Sequence, residues 1–211
     1  MKAWLKLQYL VNKVATEVAW YGNVQQDRKT NELTIVDIYV PKQEVGAAAA
    51  DTLAEGTFEY SETLDNQDEF RYQGHSHVNM AVSPSGDDNK YRKQFADSVG
   101  DYFISAIHNK RGQYSLIVSL PFLDHEMDAD YNVVYPKSGC LDFDSIYAEV
   151  DAQISKNVST RYRNPYSGER YELRENSFLP RLYPELPGYD KDNWRGSSGK
   201  YDCKPALQVR I

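Results

Sequence analysis

The residues best equipped for chemistry lie in one run, Gly74-His75-Ser76-His77-Val78-Asn79-Met80-Ala81-Val82-Ser83-Pro84-Ser85-Gly86-Asp87-Asp88. Side chains alternate along a strand, so two histidines separated by one residue at a strand end project to the same face, and both imidazoles can reach one cation. By itself such a pair is equally a pair of hydrogen-bonded structural histidines. After His77 come seven residues, then Ser85, two more residues and Asp88. A loop of that length can fold Asp88 back from the first turn of the next helix as a third ligand. Two neutral imidazoles and one carboxylate leave one tetrahedral position for water, the arrangement of a catalytic rather than a structural zinc. Plainer roles compete for the same residues: Asp88 or Asp87 as a first-turn acid, and Ser85 as a helix cap.

The elements that must position these residues can be read from periodicity. Leu5, Leu7, Leu10, Val11, Val14 and Val18 recur at intervals near three and four, predicting an amphipathic helix that ends near Ala15 or Thr16. A short strand from Glu17 to Gly22 follows, then a polar turn from Asn23 to Asn31. Leu33 to Val40 is rich in β-branched and aromatic residues and stops at Pro41, a strong strand signal. Between Gly46 and Asp68 a four-alanine run precedes a stretch of acids; Thr57 to Ser61 reads as a strand and the rest as loop. Phe70 to His75 reads as the strand that delivers the two histidines. Tyr91, Phe95 and Val99, spaced by four, mark a helix over 87–101. Tyr102 to Ile107 and Tyr114 to Leu120 read as strands joined by a hairpin turn at His108 to Gln113. Phe143 to Val158 is the last helix signal. His108 and His125 read as turn and surface histidines, and Cys140 as a small buried residue.

The HisSerHis pair, seven residues, Ser85, two residues and Asp88, with Glu17 upstream at the start of a strand that follows the first helix, resembles the JAMM/MPN (JAB-type) zinc metalloproteases. The resemblance spans roughly Leu5 to Leu123. It implies an α/β domain with a mixed, curved sheet flanked by helices, and one Zn2+ held by His75, His77 and Asp88. Glu17 would be the general base and Ser85 would help hold the tetrahedral oxyanion. The implied reaction is hydrolysis of a peptide or isopeptide bond in a protein or peptide substrate, the C-terminus of a ubiquitin-like protein among the candidates. Zinc can bring the pKa of water from 15.7 to about 7, and a neighbouring carboxylate can take the proton and pass it to the leaving amine. Val78 stands where the family often has proline, and Val18-Ala19-Trp20-Tyr21-Gly22 replaces its glycine-rich apolar run. Both departures suggest a divergent bacterial or phage-type member. The alternative reading is an MPN-type scaffold or phage tail assembly component acting as an interaction module.

Other metal enzymes fit less well. A metallo-β-lactamase pattern needs Asp and His where Asn79 and Met80 stand; zincins need HisGluXXHis; a deaminase needs a ProCysXXCys pair. An amidohydrolase barrel needs ~250 residues, more than the 211 here. Lys and Arg number 13 against 23 Asp and Glu before Asp151, and 11 against 8 from there on. So acidic a body disfavours nucleic acid, whose binding needs clustered cations. No apolar run approaches the ~18–20 residues of a membrane span, neither signal peptide nor anchor is expected, and two cysteines make no disulfide framework, which fits a cytoplasmic protein. Beyond Asp151 lie five of the nine prolines and six of the 17 tyrosines. The expected division is therefore 1–140 as the JAMM/MPN-like domain and 141–211 as a C-terminal helix and Tyr/Pro-rich extension, with Tyr162, Tyr166 and Trp194 as aromatic anchors.

Overall fold

Helix α1 (Lys2–Lys13) buries Ala3, Leu7, Leu10 and Val11 and, unexpectedly, Lys6. Strands β1 (Ala19–Asp27), β2 (Glu32–Tyr39), β3 (Gln43–Gly46) and β4 (Ala49–Thr52) follow, then helix α2 (Ala54–Glu62), β5 (Phe70–Ser76) and helix α3 (Gly86–Val99). After them come β6 (Phe103–His108), β7 (Tyr114–Leu120), β8 (His125–Asp128) and β9 (Asp130–Val134). Helix α4 (Phe143–Asn157), β10 (Val158–Arg163), β11 (Arg170–Glu172) and β12 (Ala206–Arg210) complete the order. This is a computed structural model, and it describes residues 2–47, 49–134, 141–163, 170–172 and 206–210. Tyr166, Trp194, Cys140 and Cys203 lie outside the described residues.

The main sheet runs β8-β7-β6-β5-β1-β2-β12-β9. Among the described residues only β5 and β6 pair in parallel within this sheet, and α3 is the crossover between them. β8 and β9 occupy opposite ends of this order, yet Asp128 and Asp130 are separated by Ala129 alone. The sheet must therefore curl until its ends approach, and Tyr114 Oη reaches Asp130 at 2.8 Å across that seam. The result is the expected mixed α/β architecture with a curved, nearly closed sheet. Its core joins α1 to the sheet through Leu7, Leu10, Trp20, Ile35, Tyr72 and Ile104, with Val150 of α4 beside them. A smaller sheet, β11-β10-β3-β4, is separate in its strand pairing and abuts the main one at the start of β1. Among the described residues no helix is long and apolar enough to cross a membrane.

Several local expectations are corrected. Residues 57–61 are helical, within α2, because tertiary contacts select that form. Leu53 N donates to Lys42 O, and the Lys42 ammonium meets both Glu55 and Glu59, one turn apart on one face. Tyr60 then inserts among Tyr21, Tyr39 and Phe70. The stretch taken as loop also contains β4, which pairs antiparallel with β3 just before it. The polar turn expected from Asn23 is shorter, because β1 continues to Asp27 against β2. His108 ends β6 and is 3% exposed rather than lying in a turn. Its ring stacks on Tyr114, meets Trp4 and Trp20 edge-on, and lies 3.1 Å through Nε2 from the Tyr131 hydroxyl. Burial, aided by repulsion from His75, pushes its pKa down to about 3. His125 is exposed in β8.

Candidate metal centre

The antiparallel register of β1 and β5 sets Ala19 opposite His75 and Trp20 opposite Gly74. Extending it by two residues brings Glu17 opposite His77, so Glu17, His75 and His77 share one face of the sheet. Two bonds hold this end of the pair together: Ser76 N donates to Val18 O at 2.9 Å, and Val18 N donates to Ser76 Oγ at 3.1 Å. On the opposite face Gly74 leaves room for the Trp20 indole, since a Cβ there would lie 2.4 Å from its ring. The flat glycine thus lets β5 sit close to the core while it presents His75 to the other side.

Asp88 comes from the first turn of α3. Ser85 is the N-cap: its Oγ accepts from Asp88 N at 3.1 Å, and its own N–H donates to Asp88 Oδ2 at 2.6 Å, a reciprocal capping box. This turns the Asp88 carboxylate inward, with Oδ1 3.2 Å from His75 Nε2 and Oδ2 3.6 Å from His77 Nε2. One ligand atom from each of His75, His77 and Asp88 lies within 4.8 Å of the others. Donors ~2.0–2.1 Å from a tetrahedral zinc stand about 3.4 Å apart, and the Asp88 carboxylate meets each imidazole near that distance, through a different oxygen in each case. His77 Nδ1 donates to the Ala81 carbonyl at 2.6 Å; a carbonyl can only accept, so the free lone pair is on Nε2, facing the cluster. Hydrogen bonding to His75, and then to the Ser85 backbone and side chain, holds the Asp88 carboxyl well below the usual range, keeping it an anion. Two imidazoles with a charged carboxylate are a fitting donor set for zinc.

Glu17 is 6% exposed and lines the same cleft, whose volume is about 820 Å³. Its main chain is fixed from the smaller sheet: Glu17 N donates to Gly46 O at 3.2 Å, and the buried Gln43 amide pairs with both N and O of Ala19, each at 2.8 Å. Burial raises its pKa; His75 and His77 pull it down, and Asp88 pushes it up again. One turn beyond Asp88, Arg92 makes a two-point contact with Glu126 at 2.9 and 2.8 Å, fastening α3 to β8. Val78, directly after His77, has a φ of 48°, a left-handed conformation that a β-branched residue adopts only under strain.

All five residues singled out in the sequence therefore line one cleft: Glu17, His75, His77, Ser85 and Asp88. Sequence reading missed Gln43 and Arg92, which hold the elements carrying these groups, because an isolated amide and a lone arginine carry no spacing signal. No family model matches the chain, and no curated protein matches it.

Proposed function

We propose that the chain is a zinc-dependent peptidase that hydrolyses a peptide or isopeptide bond. The observation that carries this reading is the convergence of His75, His77 and Asp88 beside the buried carboxyl of Glu17 in one open cleft. When bound, the cation would supply Lewis acidity, acidifying water and polarising the scissile carbonyl. The protein's own groups account for the remainder. Glu17 takes the proton of the attacking water and returns it to the leaving amine, and a pKa raised by burial suits a base that must do both. Ser85 Oγ only accepts from Asp88 N, so its hydroxyl proton remains free to donate to the oxyanion, and capping and catalysis are compatible in one side chain. His77 and Asp88 stay aimed through their bonds to Ala81 and Ser85.

A peptide substrate is supported by β4, the edge strand of the smaller sheet, which lines the cleft at Ala49, Ala50 and Asp51. An extended chain laid along that edge gains main-chain hydrogen bonds independent of its sequence. The test is metal analysis of purified protein together with cleavage of a peptide library. About one zinc per chain is expected, with cleavage lost on chelation and restored by zinc. A preparation that refuses zinc sinks the proposal.

A further inference from the structure

Asn109 follows the last residue of β6, is 3% exposed, and satisfies its side-chain amide completely. Its Oδ1 accepts from Arg111 N and Gln113 N, both at 3.0 Å, closing the β6–β7 turn. Its Nδ2 does something the turn does not require. It donates to Gln113 Oε1 at 2.8 Å and, across to a different segment, to the Met80 carbonyl at 2.9 Å. Met80 lies in the loop between β5 and α3, one residue before Ala81, whose carbonyl holds His77 Nδ1. The same loop is tied to the same turn by Lys110 N donating to Val78 O at 2.7 Å, while His77 N donates to His108 O at 2.8 Å.

We propose that Asn109 is a positioning residue of the metal centre: through Met80 and Ala81 it fixes the orientation and tautomer of His77 and thereby sets affinity for the cation. This rests on the metal-centre reading given above. The loop from Val78 to Pro84 has no strand or helix of its own; beyond the turn closed by Met80 N donating to His77 O at 2.7 Å, these cross-ties are what hold its carbonyls among the described residues. Losing the Met80 tie frees the Ala81 carbonyl to drift, and His77 can then rotate or present the wrong nitrogen. Partners of a ligating histidine that lie outside the coordination sphere commonly change metal affinity by ~10–100-fold when removed.

The two halves of the amide allow a clean test. Asn109→Asp keeps the oxygen acceptors that close the turn but replaces the donor facing Met80 O with an acceptor. Its added negative charge favours a nearby cation, so any loss of affinity has to come from geometry. Full-length wild type and Asn109→Asp are stripped with chelator, their urea midpoints compared, zinc affinity measured by competition with a chromophoric chelator, and Co(II) absorption recorded in the visible. Expected in the variant are zinc affinity lower by ~10–100-fold, beyond what any fall in its metal-free midpoint accounts for, and an altered Co(II) spectrum. Asn109→Ser, which cannot span to Met80, should behave alike if the aspartate variant does not fold. Wild-type affinity with an unchanged Co(II) spectrum in a folded variant overturns the proposal, as does a loss that only tracks a lowered metal-free midpoint. Wild type that binds neither metal overturns the metal-centre reading itself, a result recognisably different from either.

Discussion

Burial holds the Glu17 carboxyl above the usual glutamate range while two imidazoles pull the other way, so its chemistry and its stability oppose each other. A raised carboxyl pKa means the folded chain holds that proton more tightly than the unfolded chain does. The stabilisation is complete below the ordinary glutamate value and is lost as pH rises through the folded value. In metal-free protein, Glu17→Gln should therefore melt at a higher temperature than wild type near pH 7, with the difference closing as pH falls to about 4. Equal melting at both pH values would show that Glu17 is not held against its charge. With zinc loaded, the same variant should keep the metal while kcat falls by ~10²–10⁴-fold. At this scale the sequence was informative where residues are close along the chain. His75, His77, Ser85 and Asp88 lie within one strand, loop and helix turn, so spacing alone suggests their convergence. Glu17 was legible only through a family resemblance, because its place depends on strand register between residues far apart in the chain.

Two elements carry the geometry between those residues, and both make sharp demands. Strand β5 approaches Trp20 so closely that Gly74→Ala would force its Cβ to within 2.4 Å of the indole. Overpacking of this kind costs ~1–3 kcal/mol, and because His75 is the next residue, zinc affinity should fall together with the urea midpoint. The loop after His77 shows the reverse case. Val78 sits at φ 48°, so Val78→Gly should relieve strain and raise stability by up to about 1 kcal/mol after its entropy cost. Val78→Pro would restore the residue the family often has but demands φ near −65°, and it should destabilise the chain and loosen the site. A proline variant as stable as wild type would mean the loop is free to change its path. Elements with strong periodicity were legible in the sequence, as with 33–40, 114–120 and the helices near 87–101 and 143–158. Those decided by distant contacts were not. In α2 the decision rests on Lys42, outside the helix, meeting Glu55 and Glu59 one turn apart, a contact that leaves no local periodicity to read. The four-residue strands β3 and β4 are too short to register, and β4 opens on two alanines.

At the scale of the whole molecule, the part of the chain after residue 140 is bound into the fold through α4, through β10, which pairs in parallel with β3, and through β12. Helix α4 docks on α1, where the buried Lys6 ammonium joins Asp37 of β2 to Glu149, Tyr9 stacks on Tyr147, and the Tyr9 hydroxyl donates to Asp151. Strand β12 lies between β2 and β9, antiparallel to both, with Val209 5% exposed in the core. Composition after Asp151 suggested an irregular extension, and nothing there announced a strand in the principal sheet, since a single five-residue segment paired with β2 and β9 leaves no local periodicity. If the extension only covered the cleft, removing everything after Val158 would raise peptidase activity. The topology points the other way. Without β12, β9 loses its only strand partner among the described residues and β2 gains a bare edge, while core burial of Val209 alone accounts for ~1.5–3 kcal/mol. Truncation after Val158 should therefore lower the urea midpoint, flatten the transition and promote association through the exposed edge of β2. A truncated chain that stays monomeric, unfolds at the wild-type midpoint and cleaves faster would show instead that β12 is dispensable and that the extension restrains the site.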